Sequence, residues 1–155
     1  MKNLLKTLTM IAAMFAAAPA ARAGDAPDVV PSVWSLQVSA QQFTTARTTG
    51  CIPIAGGKFL YTRGEVTRGG NLAAMKVSCQ SYRDSACAGV PAPMLSCSGN
   101  TCSLYEPTSP TVAADYAHRA RFDAAGDDYA KCTWTNVTGG QAADVLNGYV
   151  RTTKE

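Results

Sequence analysis

The side chains able to do chemistry in this 155-residue sequence are six cysteines, one histidine and scattered carboxylates. Thiolate metal sites need close pairs such as CxxC, or histidines in company. This chain has no CxxC and a single His. The same missing spacing removes a thioredoxin-type redox pair. An even set, Cys51, Cys79, Cys87, Cys97, Cys102 and Cys132, instead predicts three disulfides. Neither a metal nor a cofactor is expected.

The stretch CSGNTC, residues 97–102, reads as the end of a hairpin. With Gly99-Asn100 as a two-residue loop, both supplying positive φ, Ser98 faces Thr101 and Cys97 faces Cys102. That outer pair is the non-hydrogen-bonded one, with Cα atoms about 4.5 Å apart, close enough for a disulfide. The staple is worth about 2 kcal/mol of loop-closure entropy. Three pairings remain open to the other four cysteines. We expect Cys51–Cys132, a long loop worth about 4 to 5 kcal/mol, and Cys79–Cys87.

Catalysis would have to be built on His118. It alternates with Tyr116 and Phe122 in an apolar row, where a lone histidine is more often a core or edge residue than a general base. A hydrolase such as a small secreted ribonuclease would need a partner for it, Glu65 with an arginine, and nothing in the spacing supplies one. Asp127-Asp128 point to opposite faces if on a strand, and DxDxDG oxygen-ligand spacing is absent. There is no GxSxG nucleophile, and IAGGKF lacks the GKS or GKT of a phosphate loop. Asn136-Val137-Thr138 fits a glycosylation acceptor, a chance match in a chain whose leader looks bacterial.

The elements that must position these groups follow a period of two. WSLQVSA sets Trp34, Leu36 and Val38 against Ser35, Gln37 and Ser39. MKVSCQSY sets Met75, Val77 and Cys79 against Lys76, Ser78 and Gln80. In YAHRARFDAAGDDYAKCTWTNV, Tyr116, His118, Ala120 and Phe122 alternate with Ala117, Arg119, Arg121 and Asp123. Beyond AAGD, Ala130, Cys132 and Trp134 alternate with Lys131, Thr133 and Thr135. This predicts one hairpin there and a second in KFLYTRGEVTRGGNLAAMKVSC, turning at Arg68-Gly69-Gly70-Asn71. Gly64 inside a strand signals a bulge or a close neighbouring backbone. Segments around Pro53, Pro91, Pro93, Pro107 and Pro110 read as loops. QAADVLNGYV, 141–150, offers a short C-terminal helix. The predicted fold class is mainly β, a single antiparallel β-sandwich or barrel-like domain stapled by disulfides.

MKNLLK, the apolar run LTMIAAMFAAA and PAARA together read as a secretory signal peptide over residues 1–23. The run falls short of the roughly 20 residues a spanning helix needs. The mature chain, 24–155, begins with GDAPDVVP, a loose arm over 24–31. Lys2, Lys6 and Arg22 leave with the signal, taking 14 basic residues to 11 against 11 acidic ones. A general nucleic-acid or anionic-membrane surface is thereby disfavoured. The charge is nevertheless segregated: basic residues dominate Arg47 to Asp84, acidic ones Glu106 to Asp128.

These observations lead to an expected function: an exported, periplasmic or secreted, non-enzymatic binding protein. It would be an inhibitor, an immunity-type partner or a receptor-binding module that contacts another protein or a cell-surface ligand. Arg63, Arg68, Arg119 and Arg121 are the expected contact residues. A subunit of a surface appendage or envelope assembly is the alternative, favoured if the 24–31 arm inserts into a second copy.

Overall fold

The computed structural model describes residues 33–70, 72, 74–109, 115–124, 126–138 and 143–154. The signal and arm assignments, Asn71 and Pro110 lie outside them. Among these described residues eleven strands follow in order: β1 Ser35–Gln42, β2 Arg47–Thr48, β3 Ile52–Pro53, β4 Phe59–Thr67, β5 Ala74–Tyr82, β6 Ala92–Pro93, β7 Ser96–Ser98, β8 Thr101–Ser103, β9 Tyr116–Asp123, β10 Tyr129–Thr138 and β11 Val145–Thr153. All pairings are antiparallel. One sheet runs β1-β11-β4-β9-β7-β8; the other runs β2-β10-β5-β6, with β3 also on β10. The two pack face to face, and their inner rows merge into one core around Leu60, Phe122, Leu146, Met75, Val77 and Trp134. The mainly-β, disulfide-stapled fold is as the alternation predicts.

Outside β1 and β11 the faces are as expected, but the pairings are not. β4 lies between β11 and β9, whereas β5 lies between β10 and β6. Both segments expected to be hairpins, β4–β5 and β9–β10, are therefore arches that carry the chain from one sheet to the other. An arch and a hairpin have the same in-and-out alternation, because each strand needs only one apolar face. The first arch is held by Asp144, fully buried, whose carboxylate accepts from the backbone N–H of Gly70 at 2.8 Å and Leu72 at 3.3 Å. In the second, Gly126 takes φ +96°, a conformation that favours glycine.

The two long-range disulfides follow from those arches. Cys79 of β5 faces Cys132 of β10, Cα atoms 4.1 Å apart, and the two are bonded. Cys51 joins Cys87, Cα to Cα 5.7 Å. The expected Cys51–Cys132 and Cys79–Cys87 pairings are thus corrected: β10 lies beside β5 and not back on β9, which sets Cys132 against Cys79 and leaves Cys51 to Cys87. Cys97–Cys102 closes the β7–β8 hairpin as expected. Its Gly99 has φ +58° while Asn100 does not have a positive φ, the pattern of a type II′ turn, not I′.

The predicted C-terminal helix is also corrected, since Val145–Thr153 is a full strand, paired along its length with β4. Its inward row is Leu146, Gly148, Val150 and Thr152. Gly148 and its cross-strand partner Gly64 leave a trough filled by the Trp134 indole from the facing sheet. β4 keeps an even register at Gly64, so that glycine makes no bulge, and what approaches it is the Trp134 side chain and not a backbone. On β1 the register slips twice, between Leu36 and Val38 and again before Gln41. Val38 is buried there, but Leu36 turns outward, opposite Tyr149. Ile52–Pro53 and Ala92–Pro93, read as loops, are two-residue edge strands, where proline costs no ladder bond.

Candidate functional site

His118 sits on the inner face of β9, buried at 6% exposure, beside Gly64 of β4. Glu65, one residue further along β4, faces outward with Arg63, to which it is salt-bridged. The sheet therefore separates the two groups a hydrolytic pair would need to converge. Among the described residues His118 Nδ1 and Trp134 Nε1 have no hydrogen-bond partner in the protein. Among those residues, too, no three His, Cys, Asp or Glu side chains converge as metal ligands would.

Burial also holds the His118 imidazole below its ordinary value of 6.5, because desolvation disfavours the cation. The unfolded chain takes up the proton at the ordinary value. Stability from the buried neutral ring is complete above about pH 6.5 and declines as pH falls from there through the depressed folded value. Replacing His118 with Met should flatten the urea midpoint against pH in that window. Unaltered acid sensitivity would show that some other group is responsible.

The groups that the fold brings together lie on the opposite, solvent side of the six-stranded sheet. Arg63 of β4 is directly opposite Arg119 of β9 on one side and Tyr149 of β11 on the other. One rung along, Tyr61 lies between Arg151 and Arg121. The guanidinium of Arg151 stacks 4.9 Å from the rings of both Trp34 and Tyr61. Arg121 lies 4.4 Å over Phe59, which in turn meets Tyr61 edge-on. Trp34, Arg151, Tyr61 and Arg121 thus alternate ring and cation across the sheet. Among the described residues the Nε atoms of Arg63, Arg121 and Arg151 are buried and find no protein acceptor.

The stapled hairpin has a place here as well, since Arg121 donates from Nη2 to the carbonyl of Gly99 at its tip. The CSGNTC disulfide therefore steadies one end of the cationic face. Of the expected contact residues, Arg63, Arg119 and Arg121 converge. Arg68 does not: it lies at the first arch, where its Nε donates to the Leu72 carbonyl at 3.2 Å. Arg151 completes the cluster; no expectation falls on it, because QAADVLNGYV reads as a helix over 141–150 that stops one residue short of it. Asn136, in the glycosylation pattern, donates its amide to the Phe43 carbonyl at 3.1 Å.

Like charges directly opposite on neighbouring strands destabilise a sheet. The Arg63–Arg119 pair, with Arg121 and Arg151 one rung away, is therefore an arrangement folding does not require. Glu65 neutralises Arg63, and Asp123 lies at the margin opposite Phe59. The remaining guanidiniums form a positively charged strip whose donors suit carboxylates. Comparison with family models, with curated proteins and with solved structures finds no match for this chain.

Proposed function

We propose that the protein is an exported, non-enzymatic binding protein that docks an acidic partner protein on the arginine and aromatic face of its six-stranded sheet. The observation that carries this is the convergence of Arg63, Arg119, Arg121 and Arg151, interleaved with Tyr149, Tyr61, Phe59 and Trp34, on one outer face. Arginine and large aromatics are the residues that dominate binding energy at protein interfaces. Rings stacked on guanidiniums also lose little freedom on binding. Three disulfides suit an oxidising compartment and make the platform rigid.

The test is capture by the immobilised, oxidised mature chain from an extract of the source cells and their surroundings. A protein recovered at stoichiometric amounts, acidic, and released by salt is the expected result. Reversing Arg119→Glu and Arg121→Glu should weaken its binding about ten- to a hundred-fold. A partner whose affinity ignores both salt and that double reversal would refute docking on this face.

A further inference from the structure

Away from the arginine face, an open cleft of about 440 Å³ lies where three stretches of chain meet: the end of β5, the segment leading into β6, and the arch before β10. Its walls include Tyr82, Arg83, Asp84, Val90, Pro91 and Asp127. Each stretch is pinned. The Asp84 carboxylate accepts from the N–H of Ala88 at 3.0 Å and of Gly89 at 2.9 Å, tying the first wall to the second. The Cys51–Cys87 disulfide holds the turn between them, and Ala92 and Pro93 pair with Ser81 and Gln80 of β5. On the third side the Asp128 carbonyl accepts from the N–H groups of Ile54 at 2.8 Å and Ala55 at 3.1 Å. A cleft braced in this way needs little ordering when something binds in it.

The charges in the cleft are divided between used and unused. Asp84 is committed to the two backbone N–H groups. Arg83 and Asp127 are not committed: among the described residues neither makes an ion pair or a hydrogen bond, with each other or with a neighbour. Asp127 is half-buried all the same, and a carboxylate drawn partly out of water without a partner costs free energy that folding does not recover. Opposite charges that line one cleft without meeting offer two separate points of attachment. A guanidinium presents a fork of donors to a carboxylate, and a carboxylate accepts from an ammonium. The cleft is not only polar. Val90, 95% exposed, is an aliphatic side chain on its wall with Pro91 and Tyr82 beside it, left for a ligand to cover. A few hundred Å³ is the scale of a small-molecule site.

We infer that this cleft binds a small zwitterion of the amino-acid class, a free amino acid or dipeptide with an apolar side chain, Arg83 taking the carboxylate and Asp127 the ammonium. Selection would rest on the two free ends, because an acylated amine or an amidated carboxyl leaves one protein charge facing a neutral group. The site lies at the edge of the five-stranded sheet and shares no residue with the arginine face.

The experiment is calorimetric titration of the oxidised mature chain with leucine, dileucine, N-acetyl-leucine and leucine amide. The tighter of the first two tells amino acid from dipeptide. Blocking either end should weaken binding about ten- to a hundred-fold. Arg83→Gln and Asp127→Asn have no bond within the protein to lose, so both should fold as the parent does. Arg83→Gln should erase the preference for leucine over leucine amide and keep that over N-acetyl-leucine. Asp127→Asn should do the reverse, a crossed pattern that a merely structural role would not give. The Arg119→Glu, Arg121→Glu protein should bind leucine as the parent does, which keeps this result apart from the fate of the sheet-face proposal. Failure of both leucine and dileucine to bind at millimolar concentration would overturn the inference. So would binding indifferent to capping or to both cleft variants, or its loss in the sheet-face variant.

Discussion

Replacing Cys79 and Cys132 together by alanine should lower stability by about 4 kcal/mol, the largest loss from any of the three disulfides. The bond joins residues 53 apart in sequence, against 36 for Cys51–Cys87 and 5 for Cys97–Cys102. Loop-closure entropy grows with the logarithm of that separation, so the second should cost slightly less and the third about 2 kcal/mol. Packing sharpens the order. Cys132 is fully buried and Cys79 nearly so, in the inner row beside Trp134, whereas Cys102 is half-exposed at the sheet edge. Urea midpoints of the three paired-alanine variants, prepared oxidised, give the ranking directly. If the 97–102 variant lost as much as the 79–132 variant, the core bond would not be what restrains the unfolded chain.

An equally large effect is expected at the trough between the sheets. Trp134 is fully buried, and its pyrrole edge lies over Gly64 while its six-membered ring lies over Gly148. A Cβ at Gly64 would sit 2.7 Å from Trp134 Nε1, and one at Gly148 would sit 2.7 Å from Cζ3. Truncating Trp134 to alanine should cost about 3 to 5 kcal/mol, the usual range for emptying so large a site. The informative experiment is the sign of Gly148→Ala. In an open strand that change gains about 0.5 to 1 kcal/mol by restricting the unfolded chain. Here the clash should outweigh it, for a net loss of about 1 to 3 kcal/mol. In a Trp134→Leu background the clash is gone, and Gly148→Ala should become neutral or stabilising. A cost unchanged by Trp134→Leu would mean that something other than the indole occupies the trough.

The same glycines explain what could not be read from the chain. In β11 the inward row is Leu146, Gly148, Val150 and Thr152, and in β4 it includes Thr62 and Gly64. A glycine where an apolar residue is expected breaks the period of two, and the adjoining Ala-Ala-Asp made QAADVLNGYV look helical. The missing volume is supplied by Trp134, on the opposite sheet. With β11 unread, Arg151 had no face. Arg63, Arg119 and Arg121 could be read as outward-facing from local alternation alone. That they stand side by side depends on β4 pairing with β9.

Outside β1 and β11, alternation along each strand settled which side chains face the core, because burial on one face is a local requirement with a period of two. It also fixed the closure of Cys97 on Cys102, since only two residues separate the flanking pairs. Which strand lies beside which was left to tertiary structure, because hairpins and arches bury the same rows and differ only in the partner across the ladder. That choice put Cys79 against Cys132, turned His118 and Glu65 to opposite sides, and gathered four arginines onto one surface.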